Sequence, residues 1–441
     1  MQSVREHTTR DVMISKKTHL STHIQAGKMA GQPVAPLLLR GCAGLISFLL
    51  GLGLLPWSAA AAPVEPQDRI IAIGDIHGEL DSFCRILRRA HVVDEQNHWI
   101  GGSTTLVQTG DVIDRGPKGR EAMDLLMTLE TEAARAGGRV VALLGNHEVM
   151  NLLGDPRYVT PPNYAAFADN DSEKRRQAAY REYSAWLASK SKSLAAIKQP
   201  IFPTSEETWM SEHPAGFLEY REAFRPDGKY GRWIRQHDAV TEIEGIIFLH
   251  GGIAPALISM SLEKINSQIR EEIDTFDKTM RELQSRKIVL PFFTLREIAL
   301  AVQLQLVEDR SAQTSPDADF HNRLVHLLDV SNWLCMRDEG PLWFRGYDAW
   351  SDDAGVEQIS KILPPYHAGH IVVAHTVQKG PHIRSRFDGK VFLIDTGMVY
   401  KDKGGAPSAL DIQAGKFTAI YLDGQDALFD DKSPKSGAKG N

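Results

Sequence analysis

Apolar positions follow two rhythms along the first part of the chain. Residues 69–74 (RIIAIG), 104–108 and 139–144 are short, nearly continuous apolar runs of strand length. Between them, residues 80–90 and 118–136 carry apolar side chains at helical spacing, and 148–153 begin a further helix. Strands alternating with helices predict parallel βαβ units, whose loops at the strand carboxyl ends can carry a site. The rhythm then breaks. Residues about 155–238 are polar and aromatic, contain Pro161-Pro162 and a helical stretch near 174–190, and read as a large insertion. Residues 239–249 return to strand character around a turn at Glu244-Gly245. Residues about 259–338 read as a second, mostly helical insertion whose charges form a solvated face. Residues 371–374 predict a strand of a second sheet. Runs 383–387 and 391–395 flank Asp388-Gly389, a strong hairpin signal. Residues 417–422 give one more strand. The polar, Gly- and Lys-containing stretch 427–441 predicts a disordered tail.

Residues 1–62 follow neither rhythm. Arg40 precedes an apolar core at 44–55 (GLISFLLGLGLL), then Pro56-Trp57 and a small-residue run at 58–62. These are the parts of a secretory signal peptide, with cleavage expected after Ala60 or Ala62. The second reading is an uncleaved anchor over 42–62, only just long enough to span a bilayer. Under both, Lys28 and Arg40 stay on the cytoplasmic side and the body, 63–426, is exported, with the periplasm as its expected compartment. Membrane contact is expected through this segment alone. Cys42 is a poor lipoprotein site, because Arg40 sits two residues before it and the apolar core follows it. A start at Met29 would give a signal of ordinary length.

Composition narrows the classes further. Charged residues at 24% and hydrophobic ones at 42% exclude a wholly disordered, collagen-like or polytopic membrane chain. The net charge of −6 becomes about −10 once residues 1–62 are removed, an acidic body that argues against a nucleic-acid partner. Three cysteines cannot build a disulfide scaffold or a thiolate zinc site. Cys84 and Cys335, the two in the body, could pair in an oxidising compartment or sit apart as buried thiols.

The chemistry-bearing residues sit at strand ends. Gly74-Asp75-Ile76-His77-Gly78, Gly110-Asp111-Val112-Ile113-Asp114-Arg115-Gly116, Gly145-Asn146-His147-Glu148 and His250-Gly251-Gly252 each follow an apolar strand, and His375 ends another (IVVA). The first three recur at intervals of about 35 residues. Each motif alone is weak, since a strand followed by Gly-Asp or Gly-Asn is a common turn. The ordered set is specific. Oxygen and imidazole donors of this kind suit a pair of borderline cations rather than a thiolate site. Two cations ~3.5–4 Å apart can clamp a phosphoryl group and acidify a bridging water to hydroxide. Hydrolysis of a phosphate monoester also needs a bridging carboxylate, an acid for the leaving oxygen and a cation for the spectator oxygens. Asp111, His147 oriented by Asp114, and Arg115 supply these in turn.

The series GDIHG, GDVIDRG and GNHE is similar to that of the calcineurin-like metallophosphoesterases. Asp114-Arg115-Gly116 and the Glu after Gly-Asn-His resemble the phosphoprotein phosphatase branch. GGRVVALL, LLGNHEVMNLLGD and IDTGM resemble the bacterial Shewanella-like protein phosphatases. The resemblance spans roughly 69–425. It implies an α/β fold: a β-sandwich of two mixed sheets flanked by helices, with a cap-like first insertion and a helical second one. It implies two divalent or trivalent ions (Mn, Fe or Zn), one held by Asp75, His77 and Asp111, the other by Asp111, Asn146, His250 and His375. It makes His147 the general acid and Arg115 a phosphate clamp. A second clamp is expected after the helical region, and Arg345 is the best candidate. Two features depart from the eukaryotic branch. About 100 residues separate His147 from His250, and His375 follows Ala374 where Gly-His is usual. His370 does follow a glycine but precedes its strand, so it reads as a flank residue. His213, His237, His321, His326 and His367 lack motif context. Aromatics of the first insertion (Trp186, Trp209, Trp233, Tyr220, Tyr230) could line a phosphotyrosine pocket or form the insertion's own core.

The leading expectation is an exported dimetal phosphomonoesterase acting on a phosphorylated protein, at Ser/Thr or Tyr, or on a small phosphoester. A dinucleoside polyphosphate or nucleotide hydrolase shares two of the motifs; export and two long insertions argue against it. A non-catalytic binding module on a phosphatase scaffold is the third reading, and retention of every ligand type argues against it.

Overall fold

The first predicted strand, Ile70–Ile73 (β1), is apolar at every position because it is covered on both faces. Ile70 and Ala72 point into one apolar cluster and Ile71 and Ile73 into another. The computed structural model describes residues 69–195, 202–311 and 317–432. The targeting segment and cleavage site expected within 1–62 lie outside the described residues. Among these residues no helix is long and apolar enough to cross a membrane.

After β1 come α1 (Leu80–Arg89), β2 (Thr105–Gln108), α2 (Gly119–Arg135), β3 (Arg139–Ala142) and α3 (Asn146–Leu153). The three strands pair in parallel. The first insertion is helical: α4 (Pro161–Ala165), α5 (Ser172–Ser189), α6 (Ser191–Ala195), α7 (Glu206–Glu212), α8 (Phe217–Ala223) and α9 (Lys229–Ile234). A hairpin, β4 (Val240–Ile243) and β5 (Ile246–Leu249), turns at Glu244 and Gly245, both at positive φ. The second insertion holds α10 (Leu262–Ser285), α11 (Leu295–Ser311) and α12 (Ala318–Leu328). Its amphipathic α10 buries Ile265, Ile269, Ile273, Phe276 and Met280, leaving the opposite charged face to solvent. The chain continues through α13 (Gly346–Ala349), α14 (Asp352–Ile362), β6 (His370–Val373), β7 (Arg384–Arg386), β8 (Val391–Leu393), β9 (Ser408–Gln413), β10 (Lys416–Tyr421) and β11 (Gln425–Asp430).

Two mixed sheets result, in the orders β11-β10-β9-β1-β2-β3 and β4-β5-β6-β8-β7. Val107, Leu410 and Phe417 of the first meet Phe248, Val372 and Phe392 of the second in one apolar layer. Helices cover the outer faces. This is the α/β sandwich flanked by helices that the sequence called for.

Two expectations need correction. Strand β9 was not anticipated; it pairs antiparallel with β1 and β10 and joins the carboxyl-terminal hairpin to the first sheet. The tail expected to be disordered over 427–441 begins in strand β11, which pairs with β10 and packs Leu428 and Phe429 against the sandwich core. Residues 433–441 lie outside the described residues. Cys84 and Cys335 are both free and buried, the thiol alternative rather than the pair.

The two insertions share a core. Trp186 meets Phe293 with ring centroids 4.9 Å apart and donates its indole N–H to the Ile288 carbonyl at 3.1 Å. Trp209 is buried against Tyr183 and Phe292, and Tyr220 and Tyr230 against Phe167 and Phe224, so the aromatics build a core rather than a pocket.

Candidate active site

Strands β1, β2 and β3 of one sheet and β5 and β6 of the other are parallel where they pair, and contacts of His250 and His375 with Asp75 and Asp111 bring their carboxyl ends to one edge. Each is followed by one of the motifs. Gly110 and Gly145 let two of these loops touch. Gly110 has φ +95°, and a Cβ on it would strike the Gly145 backbone; one on Gly145 would strike the Asp111 carboxylate. His77, Asp111, Asp114, Arg115 and His375 all adopt positive φ between 47° and 69°. Such backbone is costly for residues with side chains and clusters where surrounding structure holds a functional geometry.

Asp111 is the hub. Its Oδ2 lies 3.5 Å from His77 Nε2, 3.7 Å from His147 Nε2 and 3.2 Å from His250 Nε2. Asp75 Oδ2 is 3.6 Å from His77 Nε2, and its Oδ1 accepts the His375 backbone N–H at 3.2 Å. Asn146 Oδ1 is 3.0 Å from His250 Nε2, and His375 Nδ1 is 3.1 Å from the same nitrogen. Two donor groups emerge that share Asp111: one with His77 and His147, one with His250 and His375, the ligand atoms of each within 4.8 Å of one another. The structure thus brings all six expected ligands to one place.

The donor set fits cations on its own chemistry. His77 Nδ1 donates to the Ile113 carbonyl at 2.9 Å and His250 Nδ1 to the Thr109 carbonyl at 3.0 Å. His375 instead uses Nε2, on the Trp343 carbonyl at 3.1 Å. Each imidazole places its N–H on a backbone oxygen and turns its other nitrogen, the lone pair, toward the carboxylates, the arrangement that metal-binding histidines show. The electrostatics agree. Burial by itself would raise the Asp111 carboxyl, but the charges of His147 and His250 outweigh it and hold it well below the usual range. Burial would lower His250, yet the Asp111 and Asp75 carboxylates push it up to about 9. The cluster demands positive charge, and a bound cation meets that demand by displacing protons.

Beside the ligands lies a second set. His147 Nδ1 donates to Asp114 Oδ2 at 2.8 Å, leaving Nε2 facing the site. Arg115 reaches His77 Nε2 at 2.6 Å and His147 Nε2 at 3.2 Å, and its guanidinium lies 5.5 Å from the ring centres of both Tyr158 and Tyr400. Arg345 is exposed at the opposite, His375 side, donating to the His375 carbonyl at 3.1 Å and to Thr376 Oγ1 at 3.2 Å. His370 turns away, to the Gly389 carbonyl and Asp431.

Sequence reading missed several residues that hold this geometry. Glu148 accepts the backbone N–H groups of Gly145 at 2.9 Å, Asp111 at 2.7 Å and Val112 at 2.9 Å, pinning the loops after β2 and β3 together. Burial, then the Asp111 charge, push it up to about 7. Its place three residues after the Gly145 N-cap gives the acidic half of a capping box, which a glycine N-cap has no side chain to complete. Asp395, in IDTGM, is buried beside Asp75; one oxygen accepts the Gly397 N–H and the other has no hydrogen-bond partner. Burial, then Asp75, push it up to about 8. Asn151 and Tyr220 approach Asp114 from behind, and only the fold reveals them.

This fold and donor edge define a class, and comparison with known proteins gives it a name. The calcineurin-like phosphoesterase family matches residues 68–379, and the chain belongs to it. The family is one of metal-dependent phosphoester hydrolases, the enzyme class the motifs called for. Among curated relatives, Shewanella-like protein phosphatase 2 of Arabidopsis thaliana is 34% identical over 48% of this chain, a stretch spanning 53% of the plant protein. Shewanella-like protein phosphatase 1 of Plasmodium berghei is 27% identical over 81% of this chain and 75% of its own length. A solved cold-active protein-tyrosine phosphatase of a psychrophilic Shewanella species shares the fold, with TM-score 0.52 and 22% identity over 82% of this chain and 81% of that one.

Proposed function

We propose that this chain is a dimetal-dependent phosphomonoesterase that acts on phosphorylated proteins outside the cytoplasm. The observation that carries the reading is the pairing of two donor sets on one strand edge: lone pairs converging on Asp111, and the His147–Asp114 dyad beside them. The cations, taken as Mn, Fe or Zn, supply when bound the Lewis acidity that polarises a phosphoryl group and acidifies water. Asp75, His77 and Asp111 hold one, and Asp111, Asn146, His250 and His375 the other. Arg115 and Arg345 bind phosphoryl oxygens from two sides. His147 Nε2 gives a proton to the leaving oxygen, and Asp114 fixes the ring through Nδ1. Tyr158 and Tyr400, flanking Arg115, offer apolar faces on which a phosphotyrosine ring can lie.

The catalytic unit is taken as residues 63–426, released after residues 1–62 direct export. A reporter fused after Ala62 should be active only outside the cytoplasm, and full-length chain in the cytosol would contradict this. The activity is tested by offering the metal-loaded protein a phosphotyrosine peptide, a phosphoserine peptide and diadenosine tetraphosphate side by side. Turnover of the peptides is expected. Preference for the dinucleotide would make it a nucleotide hydrolase, and metal binding without turnover of any ester a binding module.

A further inference from the structure

Asp114 has two carboxylate oxygens, and His147 uses one of them. The remaining capacity is filled by Asn151, whose Nδ2 lies 3.1 Å from Oδ1 and 3.0 Å from Oδ2, and which also donates to the His147 carbonyl at 2.9 Å. A side-chain amide can present either its nitrogen or its oxygen, so something must fix the choice. Tyr220 of α8 does so. Its hydroxyl donates to Asn151 Oδ1 at 2.7 Å and lies 3.4 Å from Asp114 Oδ1. With that oxygen engaged, the amide nitrogen faces the carboxylate. The Tyr220 ring is clamped by Tyr164, Phe167 and Phe224, at centroid distances of 5.2, 5.0 and 4.6 Å. Burial, then the Asp114 charge, push its phenol well above the usual range, so it remains a donor.

We infer that Tyr220 is a positioning residue for leaving-group protonation, acting through Asn151 and Asp114 on His147. The first insertion is then part of the acid apparatus and not only an appended helical layer. This rests on reading His147 as the general acid. Both oxygens of Asp114 are buried, and a carboxylate left with one donor would be free to rotate away from the imidazole.

The test compares Tyr220→Phe with the parent, full chain and metal-loaded, on nitrophenyl phosphate and on a phosphoserine peptide. The kcat on the peptide should fall about tenfold, the scale of lost outer-layer hydrogen bonds. On nitrophenyl phosphate, whose leaving group scarcely needs a proton, the change should stay within about twofold. KM and metal content should not move. The low-field proton resonance of the His147 Nδ1–H bond should shift in the variant, a readout independent of turnover. Added to Asp114→Asn, Tyr220→Phe should cost nothing further, since residues acting as a unit are non-additive. Asn151→Ala should give the same pattern and serves if Tyr220→Phe does not fold. Equal losses on both esters, or no loss with an unmoved resonance, would overturn the inference. If the parent hydrolyses neither ester, the proposed function fails, while the resonance still decides whether Tyr220 positions the dyad.

Discussion

Buried histidines occur in two regions of this chain, and the clearest contrast sets His250 against His213 and His237. His375, beside His250, is itself pushed down, by burial and then by the His250 charge. At the sheet edge His250 lies among carboxylates and is pushed up to about 9, against a burial effect that alone would lower it. In the first insertion His213 lies flat on Trp209, ring centroids 4.1 Å apart, with one nitrogen on the Trp209 carbonyl and the other without a hydrogen-bond partner. Burial drives it down to about 4. Near α9, His237 packs edge-on against Trp233 and is likewise pushed by burial to about 4. Burial is common to both sets. At the edge the Asp111 and Asp75 carboxylates lie beside His250 and suit it to a cation. His213 has a carbonyl on one nitrogen but no ion-pair partner among the described residues, and His237 has only the Glu130 carboxylate, 3.9 Å away.

The largest effect is expected at Asp111. Asp111→Asn removes the charge that three edge imidazoles face, and turnover should fall to about 1% of the parent or less as the shared ligand of both cations is lost. Metal analysis and kcat check this together; full activity would mean that Asp111 is structural. His147→Ala comes next, with an expected loss of ~10²–10⁴-fold on poor leaving groups and little on nitrophenyl phosphate. The double variant with Asp114→Asn should be scarcely worse. A dependence on leaving-group pKa identical to the parent's would remove His147 from proton transfer.

Glu148→Gln probes the support of the edge. The amide keeps one acceptor where the carboxylate had two, so one of three backbone N–H groups loses its partner. Metal affinity should weaken by about 10–100-fold with the fold intact, read by metal titration and circular dichroism. Unchanged affinity would show that the loops hold themselves.

The smallest effect concerns the other set and should leave activity at neutral pH untouched. His213 and His237 have folded values near 4, below the ordinary 6.5, so the unfolded chain takes up protons first as acid is added. Stability present above pH 6.5 should be lost as the pH falls toward 4, by at most about 3 kcal/mol for each ring. His213→Phe should flatten that limb, measured as Tm at pH 4.5 and 7.5 in chelator so that metal loss adds nothing. An acid limb unchanged by the substitution would place its cause elsewhere.

The sequence distinguished these two sets because each edge histidine falls in the loop that follows an apolar strand. His77, His250 and His375 each come within a few residues of an apolar run, whereas His213 and His237 sit among polar and aromatic residues without such a frame. The parallel pairing of β1, β2 and β3 followed from the βαβ rhythm. Strand β9 escaped because SALDIQ mixes apolar and polar positions, and only pairing with β1 and β10 gives it a partner on each side. Tyr220 was legible as a buried aromatic but not as a donor, since its partner Asn151 is 69 residues away. Long-range contacts of this kind leave no local pattern to read.

If the edge histidines and Asp111 hold two cations needed for phosphoester hydrolysis, metal content and turnover rise and fall together. Both, measured on the same preparation during stepwise chelation and reloading, test this directly. Two ions per chain are expected when the protein is fully active, with loss of phosphopeptide hydrolysis as they are stripped and recovery on reloading with Mn, Fe or Zn. Full activity in chelator, with less than one ion per chain, would contradict it.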